Sequence, residues 1–245
     1  MKLKNSVVLV TGGAKRVGKA IVTELAQAGA KLLIHYNTSE KEAKALAKSL
    51  NKKFGVVCKI LQANLQKEEE IKRLAQEAWQ AFGQVDALVH NASTFYPTPL
   101  GKTTWEEWED LMGSNARAVF FLSQALGPKM KKKGQGKMIH LGDWSTTRPH
   151  PDYIPYNAAK AAMMNLAQAF ARALAPEVQV NTLLPGPILW SSHTSESAKK
   201  KILQKTLLKR HGSPKDIAKT VRFLLEDSDF ITGAQIHVDG GRNLY

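Results

Sequence analysis

Residues 141–160, LGDWSTTRPHPDYIPYNAAK, carry a carboxylate, a phenol and an ammonium at spacings that permit proton chemistry. Tyr156 and Lys160 are four apart, so one turn of helix places both on one face. Asp143 stands thirteen residues before Tyr156, directly after the apolar run KMIHLG. Brought together, the three could donate, hold and relay a proton. The plainer reading is an ordinary loop, with Gly-Asp as a turn signal, followed by an ordinary helix.

A second cluster could bind phosphate. TGGAKRVG (11–18) follows the apolar run SVVLVT. Glycines in a first strand-to-helix turn let the backbone approach a pyrophosphate, and the helix N-terminus adds donors and positive dipole. Gly12 and Gly18 are present, but Arg16 occupies the middle glycine position of G-x-G-x-x-G, and no Gly-Lys-Ser/Thr ends the run as in a P-loop. The next strand ends in HYNTS (35–39), without the acid that would bind an NAD ribose. His35, Tyr36, Asn37, Thr38 and Ser39 offer hydrogen bonds, and Arg16 offers a fork suited to phosphate. The pattern therefore predicts NADP(H). The competing reading has His35 and Tyr36 merely capping the sheet edge.

These clusters need a scaffold, and the chain supplies one. Apolar runs alternate with helical periodicity throughout: SVVLVT, KLLIHY, GVVCKILQ, DALVHN, KMIHLG, VQVNTLL and AQIHVDGG read as strands. Helical patterns lie between them. Residues 103–126 read as two helices or one bent helix, and 152–175 as one long helix. Strands without polar alternation are buried on both faces. The prediction is an α/β fold: a single-domain, doubly wound Rossmann fold over residues 1–245 with a seven-stranded parallel sheet and helices on both faces. Ligands then bind beyond the carboxyl ends of the strands.

Composition narrows the classes. No apolar stretch approaches the roughly 20 residues needed to span a bilayer. The N-terminal apolar run is too short for a signal peptide, so a cytoplasmic protein is expected. The single cysteine, Cys58, excludes an internal disulfide. No metal site is indicated. The net charge of +14 would suit nucleic acid, anionic small ligands or simple solvation. No zinc knuckle or repeated basic-aromatic pattern is present, so nucleic acid is not the expected partner.

Taken together, these residues resemble the short-chain dehydrogenase/reductase family over the whole chain. The resemblance rests on T-G-x3-R-x-G (11–18), HNAS (90–93), Asn115, Y-N-A-A-K (156–160), PGPI (185–188) and the closing TGAQIHVDGG. It implies that Thr11, Gly12, Arg16, Val17, Gly18, His35, Tyr36, Asn37, Ser39, Asn64, Leu65, Asn91, Ala92, Ser93, Pro185, Gly186 and Ile188 contact NADPH, with Tyr156 and Lys160. His90 departs from the family's asparagine, and Asn64 from an aspartate near the adenine. Asp143 stands where the family usually has serine. That aspartate, Arg16 and NASTFYPTPL (91–100) resemble the pteridine and dihydromonapterin reductase subgroup.

The subgroup resemblance implies reduction of a ring C=N bond in a dihydropterin or dihydrofolate-type substrate. Tyr156 would give the proton, with Lys160 favouring its ionised form and Asp143 and Asn115 in support. Arg16, Ser93, Phe95, Asp143, Tyr153 and Tyr156 would meet the substrate, Phe95 by stacking. The segment after PGPI, within 185–212, would act as a lid, and the family implies a homotetramer. Two alternatives stand beside this: a carbonyl or 3-oxoacyl reductase of the same family, and a non-catalytic NADP(H)-sensing or nucleic-acid-binding protein.

Overall fold

The computed structural model describes residues 1–190 and 195–245. Runs of Val, Leu and Ile form strands at Val7–Val10 (β1), Lys31–Tyr36 (β2), Cys58–Gln62 (β3), Ala87–His90 (β4), Gly136–Leu141 (β5), Val178–Pro185 (β6) and Gln235–Val238 (β7). All seven pair in parallel, in the order β3-β2-β1-β4-β5-β6-β7. Every residue of β1, β4 and β5 is buried, as the unbroken apolar runs require. Val8 and Val10 pack to one side of the sheet, Val7 and Leu9 to the other. The edge strands β3 and β7 are half-exposed.

Helices cover both faces: Arg16–Gln27 (α1), Glu40–Phe54 (α2), Glu68–Phe82 (α3), Trp105–Met112 (α4), Ala118–Lys133 (α5), Ile154–Leu174 (α6), Glu196–Gln204 (α7) and Pro214–Glu226 (α8). Of the two helices or one bent helix expected across 103–126, the structure has two, α4 and α5, joined by a π turn, Gly113–Arg117. Asn115 sits in that turn and donates from Nδ2 to the Leu111 carbonyl at 3.0 Å, drawing it from the regular ladder. α6 starts two residues later than the periodicity suggested, with Pro155 in its first turn.

The sheet's strand order reverses direction between β1 and β4, which opens a crevice at their carboxyl ends. Of the expected lid, Pro185, Gly186, Ile188 and Leu189 line that crevice, residues 191–194 fall outside the described residues, and Glu196–Gln204 is α7. Among the described residues no helix is long and apolar enough to cross a membrane, and no cluster of metal ligands occurs.

Candidate active site

A cavity of about 500 Å³ occupies the crevice. At its base the first turn is built on small residues. Gly12 has φ +60°, which glycine adopts without strain. A Cβ on Gly18 would collide with the Gly12 carbonyl and lie 2.6 Å from Asn91 Nδ2. Asn91 donates from Nδ2 to the carbonyls of Thr11 and Gly12, both at 3.0 Å, while the backbone N–H groups of Asn91 and Ala92 donate to Thr11 Oγ1. Thr11 thus holds the turn against β4 and does not line the cavity. Gly18→Ala should raise the NADPH dissociation constant about tenfold or more, since overpacking there costs about 1–3 kcal/mol. A fluorescence titration, with a melting curve to confirm folding, would check it.

His35 corrects an expectation. Predicted to offer a hydrogen bond to the cofactor phosphate, it is buried, accepts from the Gly12 N–H at Nδ1 (3.0 Å) and donates from Nε2 to the Ala63 carbonyl (3.0 Å). Both nitrogens are spent on backbone. Burial lowers its pKa to about 4, so the ring is neutral at pH 7. It positions the glycine turn. Tyr36 is likewise mostly buried, against Ala14 and Ala43. His35 and Tyr36 still border the cavity, whose polar end is completed by Lys15, Arg16, Asn37, Thr38 and Ser39. Lys15 was missed in the sequence; its one acidic partner, Glu42 at 2.7 Å, is an exposed pair of little strength. Two cations and three short polar residues, with no acid on the lining there, fit a 2′-phosphate, and the glycine cradle fits a pyrophosphate.

At the other end the turn after β5 and the first turns of α6 bring together Asp143, Tyr156 and Lys160. Tyr156 Oη donates to Asp143 Oδ2 at 2.8 Å. Asp143 Oδ1 accepts from the Ser145 N–H at 2.8 Å and caps the short 3-10 turn Trp144–Thr147. The two readings of Asp143, turn cap and site residue, therefore hold together, one oxygen for each. Lys160 is buried, donates to the Leu141 carbonyl at 2.7 Å and lies 5.8 Å from the Tyr156 ring centre. Burial lowers its pKa to about 8, against the opposing pull of Asp143.

The phenol behaves opposite to expectation. Lys160 was predicted to favour the ionised Tyr156. Burial, first, and then the Asp143 carboxylate hold the pKa well above 10. Two effects that penalise a phenolate outweigh the ammonium, whose hydrogen bond goes to backbone. Tyr156 is a protonated donor engaged to a carboxylate.

Phe95 is exposed over more than half its surface and lines the cavity. Tyr153 stacks on one face (4.7 Å, 2° between planes) and Tyr156 meets it edge-on at 4.8 Å. Tyr153 supports Phe95 from behind and is not on the lining, contrary to its expected contact with substrate. Ser93 lines the cavity and donates to Asn115 Oδ1 at 2.6 Å. Asn115 is fully buried and also donates to the Thr94 carbonyl, so it braces the Ser93–Thr94 loop rather than reaching the cavity. Asn64 and Leu65 are absent from the lining as well: Asn64 Oδ1 accepts from the Gln66 N–H. Val17, Ala92, Pro185, Gly186 and Ile188 do line it, with Leu141 and Leu189, which had no sequence signal.

Behind Lys160 lies a buried polar row. His90, His140 and Thr182 are register partners across β4, β5 and β6. His90 Nε2 meets Ser123 Oγ at 2.9 Å, and the two imidazoles lie 4.8 Å apart. Neither nitrogen of His140 has a hydrogen-bond partner among the described residues. Burial lowers the pKa of His140 to about 3 and that of His90 far below its usual value, with Lys160 acting in the same direction on both.

Known proteins place this arrangement. A family model described as enoyl-(acyl carrier protein) reductase matches residues 12–243. The 3-oxoacyl-(acyl-carrier-protein) reductases of Staphylococcus epidermidis and Haemophilus influenzae are 34% and 35% identical, over 97% and 98% of this chain and 98% of each relative. Among solved structures, a blue fluorescent protein from a metagenomic library in complex with NADPH superposes with a TM-score of 0.92 at 31% identity, covering 99% of both chains. The NADPH-dependent 3-quinuclidinone reductase of Rhodotorula rubra gives 0.92 at 26%, covering 100% of this chain and 93% of that one. With the glycine turn, the seven parallel strands and the Tyr156/Lys160 pair in register, the chain belongs to the short-chain dehydrogenase/reductase family.

Proposed function

We propose that this NADP(H)-dependent reductase acts on a ring C=N bond of a dihydropterin or dihydrofolate-type substrate. The reduced nicotinamide supplies the hydride. The chain's residues do the rest: Gly12, Gly18 and the α1 N-terminus receive the pyrophosphate, Lys15 and Arg16 face the 2′-phosphate, and Phe95 presents an open ring face to a planar substrate. Tyr156 holds the proton destined for the ring nitrogen.

The observation that carries this reading is the 2.8 Å hydrogen bond from Tyr156 to Asp143. A carboxylate beside the proton donor stabilises a substrate that is cationic or rich in N–H groups. The same carboxylate opposes a developing oxyanion by about 4 kcal/mol at 4 Å in a medium of intermediate polarity. A ketone would generate that oxyanion; a protonated C=N would not.

A second reading, reduction of a carbonyl or 3-oxoacyl group, is favoured by the names of the curated relatives, which speak for it and not for pterins. Asp143 is the residue that separates the two. NADPH oxidation, followed by absorbance with dihydrobiopterin, dihydromonapterin, dihydrofolate and a β-ketoacyl ester in parallel, tests them. Asp143→Ser should lower pterin turnover by about 10²-fold or more and spare or raise turnover of the ester. Wild-type turnover of the ester alone would overturn the pterin reading in favour of the second.

For the assembly we propose a homotetramer with α6 at an interface, and for the chain one domain whose 185–212 segment covers the substrate. The exposure of Trp105, Trp108 and Phe121 on α4 and α5, next to α6, supports a covered face there.

A further inference from the structure

The stretch 195–219 carries eight Lys or Arg residues against two acids, Glu196 and Asp216. Those acids are engaged: Glu196 pairs with Lys199 at 2.6 Å and Asp216 with Arg210 at 3.3 Å. Lys200, Lys201 and Lys205 have no acidic partner among the described residues. In a chain whose net charge of +14 already includes them, these unpaired cations on one short helix add no stability.

Lys200 borders a concavity. A cavity of about 660 Å³ is lined by Trp190, Lys199, Lys200, Lys209 and His211, with one acid, Glu196, which pairs with Lys199. Trp190 directly follows Leu189, which lines the active-site cavity, and its ring packs on His211 at 4.3 Å. A further cation meets the end of α7. The Arg242 guanidinium lies 5.0 Å over the ring of Trp144, the residue after Asp143, and donates to the Lys205 carbonyl at 3.0 Å. Burial, and then the nearby Arg148, lower the pKa of Arg242. Arg242 therefore joins the Asp143 turn to the end of α7, and the positive charge runs from the reacting end of the cleft to the α7 cavity.

We propose that this face binds a flexible tail of several carboxylates carried by the substrate, outside the ring-binding cavity. The inference rests on the heterocycle reading above and deepens it: the preferred substrate is a ring with a polycarboxylate tail. A concavity of this size, with an indole at one side and lysines around it, fits an aryl group followed by carboxylates better than it fits the flat surface of a folded partner. Each exposed contact is weak alone, but three or four together discriminate between tails, and salt must weaken them.

The test compares substrates sharing one ring: dihydrobiopterin, with no acidic tail, and dihydrofolate bearing one or five glutamates. KM is measured at about 50 mM and about 300 mM salt. At low salt the pentaglutamate should have a KM about tenfold below that of the monoglutamate, with the advantage fading at high salt. The triple variant Lys200→Glu, Lys201→Glu, Lys205→Glu should abolish the advantage while leaving dihydrobiopterin kinetics unchanged, which also shows that the variant is folded. Equal KM values for the two tails, or an advantage that survives the triple variant, would overturn the inference with the heterocycle reading intact. If no pterin is reduced, it is the heterocycle reading that fails. If only a β-ketoacyl group on an acidic carrier protein is turned over, and its KM rises in the triple variant, the face serves a protein partner and the proposal is wrong.

Discussion

Tyr156→Phe is expected to lower kcat by about 10²–10⁴-fold, the usual worth of a positioned general acid, with NADPH affinity nearly unchanged. The substitution removes the proton and leaves Asp143 Oδ2 without its donor, while the ring's edge contact with Phe95 is retained. Because burial and Asp143 hold the phenol protonated, the wild-type rate should show no dependence on tyrosine ionisation across neutral pH. Lys160, with its pKa lowered to about 8, loses its charge as pH rises through that value, and kcat should fall there. A profile of kcat from pH 6 to 10 settles the point. A rate that climbs steadily to pH 9 would mean that the phenolate is the working form, and the role assigned to Tyr156 would be wrong.

Acid should unfold the protein early. His35, His90 and His140 are buried and neutral, with pKa values of about 4, far below 6.5 and about 3. In the unfolded chain each titrates near 6.5. Between that value and the folded values the unfolded state binds more protons, so stability is full above pH 6.5 and is lost as pH falls. At pH 5 His35 and His140 each cost about 2 kcal/mol and His90 adds to the loss, against a typical total of about 5–15 kcal/mol. Urea midpoints at pH 7.5 and 5.0 would measure it, and a difference under about 1 kcal/mol would contradict it. In the folded protein NADPH binding should weaken only as pH falls toward about 4, where protonating His35 removes the acceptor of the Gly12 N–H.

The scaffold was readable because its signals are local. Seven apolar runs and the helical periods between them place every strand, since strands buried on both faces have nothing polar to hide. The site was readable where a residue's identity is also its role: Tyr156, Lys160, Gly18 and Arg16 all line the cavity. It was not readable where the role depends on which backbone group lies opposite. Nothing in HYNTS reveals that His35 turns inward to Gly12 and Ala63, or that Asn64 spends its oxygen on its own loop. The direction of the Tyr156 shift was missed for a related reason. Spacing shows that Lys160 is near; it cannot show that the ammonium bonds to Leu141 and that desolvation therefore dominates.

His35 also has a bearing on any attempt to change which nicotinamide cofactor the protein accepts. The customary route places an acid at the end of the second strand. Here the last two strand residues are not free to take it. An aspartate at position 35 would remove the ring that joins the glycine turn to β3 and set a charge against the Ala63 carbonyl; at position 36 it would be buried beside Ala14 and Ala43. The first position that faces the cavity without supporting the framework is Asn37. Cofactor exchange in this chain starts one or two residues later than strand position alone would suggest, with Lys15 and Arg16 neutralised in the same step.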